Sequence, residues 1–125
     1  MNRIMVIEDD HSLSGIIKEY LKEAGHDVVI NYNAVSAIRV LKSEKFDAIL
    51  TDVNMYPVDG YELINEVRRF NKNVKIIAMS GSLPESQKAV NRAVGELKDE
   101  GADQFLLKPF TREELQNCFV TAGIC

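Results

Sequence analysis

Five side chains able to do chemistry stand just beyond short apolar runs: Glu8 and Asp9 after residues 4–7, Asp52 after 48–51, Ser80 after 76–79 and Lys108 after 105–107. In an open parallel α/β sheet the crevice beyond the carboxyl ends of the strands collects ligands, so residues a hundred positions apart can converge there. Three carboxylates around one crevice repel each other unless a cation lies between them, and an all-oxygen set suits Mg²⁺, or Mn²⁺, better than zinc. A hard divalent ion bridges carboxylates to a phosphoryl group, with a lysine and a hydroxyl left for the remaining phosphoryl oxygens. One carboxylate is then available as a nucleophile. Asp52 fits that role, because it ends its run alone, whereas Glu8 and Asp9 form an adjacent pair suited to holding metal. Nucleotide binding is excluded at the first turn: residues 7–12, Ile-Glu-Asp-Asp-His-Ser, hold no glycine and would repel a phosphate.

The elements that must position these groups follow from periodicity. Apolar runs alternate with segments of helical period, the pattern of repeated βα units around a parallel sheet. Strands are expected at 3–7, 27–31, 48–51, 75–79 and 104–107. Leu13, Ile16, Ile17, Tyr20, Leu21 and Ala24 share one face of a first helix that stops at Gly25. Ala34, Ala37, Ile38 and Leu41 mark the second helix, Leu63, Ile64, Val67 and Phe70 the third, and Ala89, Ala93, Val94 and Leu97 the fourth. The fourth should run over about 84–100, with Pro84 in its first turn and Gly101 at its end. The fifth should run over about 112–122, capped by Thr111.

With 125 residues, 46% hydrophobic and 27% charged, the chain fits one domain over residues 1–125, and no linker or low-complexity stretch divides it. A net charge of -4, without a dense Lys or Arg cluster, argues against direct nucleic-acid binding. The N-terminal apolar run is too short for a signal peptide and nothing approaches a membrane span, so a cytoplasmic protein is expected. Cys118 and Cys125 lack metal-ligand or redox spacing, and Cys118 reads as a small core or boundary residue. His11 and His26 have no partner at a useful spacing and read as surface residues. Asp10 reads as a helix cap or an outer acid near the metal.

The ordered set Glu8-Asp9, Thr51-Asp52-Val53-Asn54-Met55 with Asp59-Gly60, Ser80 and Lys108-Pro109-Phe110 resembles the receiver domain of two-component response regulators over essentially the whole chain. The resemblance implies a doubly wound, flavodoxin-like (βα)5 fold with strand order 2-1-3-4-5. It implies that Asp52 accepts a phosphoryl group from a phosphohistidine on a sensor histidine kinase or a histidine phosphotransfer protein. Asp9, Asp52 and the backbone carbonyl of Asn54 would bind Mg²⁺, and Glu8 would act largely through water. Lys108 would pair with the phosphoryl oxygens as a point charge. Ser80 would move toward the phosphate, coupled to a rotamer change of Phe105, and alter the face formed by the fourth helix, fifth strand and fifth helix. That face would meet an effector protein or output domain, or a second copy in a homodimer. A cis bond before Pro109 is implied likewise. The resemblance describes a signalling domain, catalysing only its own phosphorylation and slow dephosphorylation.

Three features depart from the family pattern. Pro57 comes one place later than usual, with Tyr56 at the expected position. The stretch between Ser80 and Lys108 is several residues longer, and a longer fourth helix is expected to absorb it. The chain ends at Cys125 soon after the fifth helix, as a free-standing or excised receiver would. Competing classes fare less well. A phosphatase with an aspartate nucleophile needs a second Asp where Asn54 stands, and flavodoxin-like phosphate loops are missing after the first strand. A receiver reduced to a docking scaffold is countered by the joint presence of Glu8, Asp9, Asp52, Ser80 and Lys108.

Overall fold

The computed structural model describes residues 1–54, 60–81 and 87–124, with the backbone only at 60, 87–90 and 93. Ten elements alternate along the chain: β1 (Arg3–Ile7), α1 (His11–Glu23), β2 (Asp27–Asn31), α2 (Ala34–Ser43), β3 (Ala48–Asp52), α3 (Gly60–Phe70), β4 (Lys75–Ser80), α4 (Gln87–Glu100), β5 (Gln104–Leu107) and α5 (Arg112–Thr121). The strands form one parallel sheet in the order β2-β1-β3-β4-β5. Strands that alternate with helices cannot form tight hairpins, and right-handed crossovers then place helices on both faces.

Both faces are buried, which explains the near-continuous apolar runs. Met5, Ile7, Ile49, Ile76 and Ala78 pack under α2, α3 and α4 through Ala37, Leu41, Leu63, Ile64, Val67 and Leu97. Ile4, Val6, Leu50, Ile77 and Met79 pack under α1 and α5 through Ile17, Leu21, Leu115 and Phe119. Each fully buried aliphatic chain contributes about 1.5–3 kcal/mol, so the central strands anchor the domain.

β3 and β4 each run one residue further than periodicity indicated, because Asp52 pairs in register with Met79, and Ser80 with Leu107. The expected caps form. Asp10 accepts from the Leu13 N–H at 3.0 Å, and Thr111 with Glu114 makes a capping box. Gly25 takes φ 91° after α1, where a side chain would be strained. Of the stretch 84–100, the described part is helical from Gln87; Pro84 lies outside the described residues, as do Tyr56, Pro57 and Asp59.

Three expectations are corrected. His26 is buried, 8% exposed, because the α1–β2 turn folds it against Phe119 of α5 with ring centroids 5.9 Å apart. Burial holds its imidazole below the ordinary value of 6.5, and the N-terminal ammonium adds to that. Ile16 and Phe70, 44% and 38% exposed, and Ala24, also exposed, stand outside the buried stripes on which they were expected. In α1 the place beside Ile17 is taken by buried Ser14, whose hydroxyl donates to the His11 carbonyl at 3.1 Å. Cys118 packs half-buried at the edge of the second core layer, and burial pushes its thiol up. No helix among the described residues is long and apolar enough to cross a membrane.

Candidate functional site

The carboxyl ends of β1, β3, β4 and β5 bring together residues that lie up to 100 positions apart. Glu8 directly follows β1, its N–H donating to the Asn31 carbonyl at 3.1 Å, so the β1–β2 ladder holds it at the crevice floor, 1% exposed. Asp52 is the last residue of β3 and Ser80 the last of β4; both are buried. Lys108 follows β5, and its N–H donates to the Ser80 carbonyl at 2.9 Å. The Lys108–Pro109 peptide is cis. Asp9, between Glu8 and the cap Asp10, is exposed at the mouth.

Lysine 108 spans the crevice. Its ammonium donates to Glu8 Oε1 and to Asp52 Oδ2, the latter at 2.7 Å. Asp52 Oδ1 accepts from the Asn54 N–H at 2.8 Å, and the Asn54 side-chain amide donates to Ser80 Oγ at 2.7 Å. The Asp10 N–H donates to Glu8 Oε2 at 3.2 Å. One carboxylate oxygen from each of Glu8, Asp9 and Asp52 lies within 4.8 Å of the others.

Among the described residues, the electrostatics are those of a site short of positive charge. Burial raises the Glu8 carboxyl above its ordinary range; the Lys108 hydrogen bond opposes this, and the Asp52 charge reinforces it. Burial works against the Lys108 ammonium, but its bonds to Asp52 and Glu8 outweigh that and raise its pKa. Among the described residues three carboxylates face one lysine, and their oxygens form a donor set that fits a hard divalent cation. Such an ion would be the largest local charge and would favour ionised Glu8.

All five residues singled out from the sequence converge here. Phe105, the candidate switch aromatic, lies one strand further out, partly buried against the core layer under α2, α3 and α4. Two features were not legible. The Asn54 side chain reaches Ser80, although the family resemblance pointed only to its carbonyl. His11 stacks on Tyr32, with ring centroids 3.9 Å apart and planes 21° apart. The strand register carried the signal for that pair, since Ile7 pairs with Asn31 and the residues beyond both strands must pass close together.

Comparisons agree with this geometry. The profile of the family described as "Response regulator receiver domain" matches residues 4–119. A probable transcriptional regulator, ycf29, of Porphyra purpurea is 34% identical over 116 residues, covering 90% of this chain and 52% of that protein. The transcriptional regulatory protein ZraR of Klebsiella oxytoca is 31% identical over 113 residues, covering 90% of this chain and 24% of that protein. The chain thus spans about half or less of these relatives. Among solved structures, the chemotaxis response regulator CheY4 of Vibrio cholerae superposes with a TM-score of 0.88 at 25% identity, over 98% of both chains. TrrA of Thermotoga maritima, solved with Mg²⁺-BeF, superposes with a TM-score of 0.83 at 25% identity, over 98% of this chain and 99% of that one. With its acidic crevice at the strand ends, its 2-1-3-4-5 sheet and a profile match over nearly its whole length, the chain belongs to the response regulator receiver domain family.

Proposed function

We propose that this chain is a phosphorylation-activated switch in which Asp52 accepts a phosphoryl group with the help of Mg²⁺, and that residues 1–125 act as one receiver unit. The observation that carries the reading is the Lys108 ammonium held between Glu8 and Asp52, with Asp9 at the mouth of the same crevice. An Asp52 carboxylate oxygen attacks phosphorus, the N–P bond of a partner's phosphohistidine breaks, and the imidazole leaves as an acyl phosphate forms. Asp9, Asp52 and the Asn54 carbonyl would hold the metal, Mg²⁺ or Mn²⁺, with Glu8 acting largely through water, and the ion would supply positive charge opposite the phosphoryl oxygens. Lys108 neutralises a phosphoryl oxygen.

The new group adds nearly two negative charges and three acceptor oxygens. Ser80, now accepting from the Asn54 amide, is drawn toward it, and Phe105 follows. The resulting change in the α4–β5–α5 face recruits an effector, an output domain or a second copy. The donor is a sensor histidine kinase or a histidine phosphotransfer protein, and the setting is cytoplasmic. Receiver domains are signalling domains and not enzymes with an external product; self-phosphorylation and slow phosphoryl loss are the catalysis proposed here.

The test is incubation with a small acyl or amido phosphate donor, read by intact mass with and without Mg²⁺. The parent gains one phosphoryl group only with Mg²⁺, and Asp52→Asn gains none. An unlabelled parent that still binds Mg²⁺ would sink the phosphoacceptor assignment and leave a docking scaffold in its place.

A further inference from the structure

Asp9 is the most exposed of the three clustered carboxylates, and it reaches the cluster from a turn rather than from a strand. Its neighbour Glu8 is tied down by the ladder bond to Asn31 and by Lys108. On its other side Asp10 caps α1, and His11 begins that helix. His11 is where the turn meets a second element: its ring lies flat on Tyr32, 3.9 Å between centroids. Both residues are solvent-facing, Tyr32 at 43%, so the stack is not forced by core packing. Tyr32 is itself set in a rigid turn. Asn31, just before it, accepts through its side chain from Ser36 Oγ at 2.8 Å, and Asn33, just after it, caps α2 by accepting from the Ser36 N–H at 2.8 Å.

We infer that the His11–Tyr32 stack is a positioning pair that pins the β1–α1 turn to the β2–α2 turn and thereby presents Asp9 to the divalent cation. The inference rests on the reading of Glu8, Asp9 and Asp52 as the metal cluster. Neither ring touches the metal or the phosphoryl group. Their contribution is to limit the backbone freedom of the turn, so that less order has to be gained when the cation binds.

An exposed aromatic pair of this geometry changes an equilibrium by about threefold to tenfold. Mg²⁺ alone is titrated into the full chain and its affinity read by calorimetry, alongside the Mg²⁺ dependence of labelling by a small phosphodonor. Tyr32→Ala and His11→Ala each weaken Mg²⁺ binding about threefold to tenfold, and the double variant is no weaker than either single one. Tyr32→Phe, which keeps the ring, binds as the parent does. The labelling rate at saturating Mg²⁺ is unchanged in all four, and thermal unfolding verifies that each is folded. Parent-like Mg²⁺ affinity in folded Tyr32→Ala, additive losses in the double variant, or failure of Tyr32→Phe to restore binding would overturn the positioning role. A parent that binds no Mg²⁺ overturns the metal-cluster reading itself, and the inference falls with it.

Discussion

Replacing Lys108 by methionine keeps most of the side chain's bulk and removes the ammonium that donates to both Glu8 and Asp52. Two outcomes are open to the stranded carboxylates. If both stay ionised within 4.8 Å of each other, their repulsion at an effective dielectric of about 20 is roughly 3.5 kcal/mol. If Glu8 takes up a proton, the cost at pH 7 for a carboxyl of ordinary pKa 4.5 is about 3.4 kcal/mol. Burial already raises Glu8, which lowers that cost, and a protonated Glu8 can donate to Asp52. Protonation is therefore the cheaper route, and the expected loss of stability at pH 7 is about 2–3 kcal/mol. The loss shrinks by up to about 1.4 kcal/mol for each unit of acidification between the raised folded pKa of Glu8 and its ordinary value of 4.5 in the unfolded chain. Mg²⁺ should substitute for the missing ammonium, so the variant gains more stability from the metal than the parent does at the same concentration; its own gain is about 2.7 kcal/mol at a hundredfold excess over its Kd if binding is confined to the folded state. Urea unfolding of parent and variant between pH 5 and 8, with and without Mg²⁺, measures both effects. A loss that is flat across that range, or a Mg²⁺ gain no larger than the parent's, would refute the charge balance drawn here.

Two further outcomes follow from groups away from the crevice. Arg68 donates to the Gly101 carbonyl from Nε and Nη2, to the Asn71 and Val74 carbonyls, and to Asp103, joining the end of α3 to the α4–β5 turn; Arg68→Met should cost about 2–4 kcal/mol in urea unfolding while Asp52 labelling by a small donor stays as in the parent. His26 is held neutral by burial, its folded pKa below the ordinary 6.5, so its stabilising share is present above about pH 6.5 and is lost as pH falls toward the folded value. Unfolding midpoints measured from pH 7.5 downward should decline in the parent and decline less in His26→Leu; identical slopes would remove His26 from the acid response.

The sheet was legible because parallel strands buried on both faces leave near-continuous apolar runs, and each run ended within one residue of its observed strand. The meeting of the candidate site residues was legible for the same reason. A carboxylate or lysine directly after such a run has no core role to fill, so Glu8, Asp52 and Lys108 stood out as an ordered set, and the parallel topology required them to meet. His26 was misread because its burial depends on how the α1–β2 turn settles against α5, which no period along the chain encodes. The Asn54 amide on Ser80 and the His11–Tyr32 stack escaped for a related reason: each joins residues at the ends of paired strands, where register decides what meets what. Register is a property of two segments at once. A single chain read residue by residue shows which groups reach the crevice, and only the ladder shows which of them hold the others still. That division also bears on function. The residues that touch the phosphoryl group and metal in the proposed mechanism are the ones composition and position reveal. The residues that tune affinity for the cation lie on turns whose geometry arises only once the strands have paired.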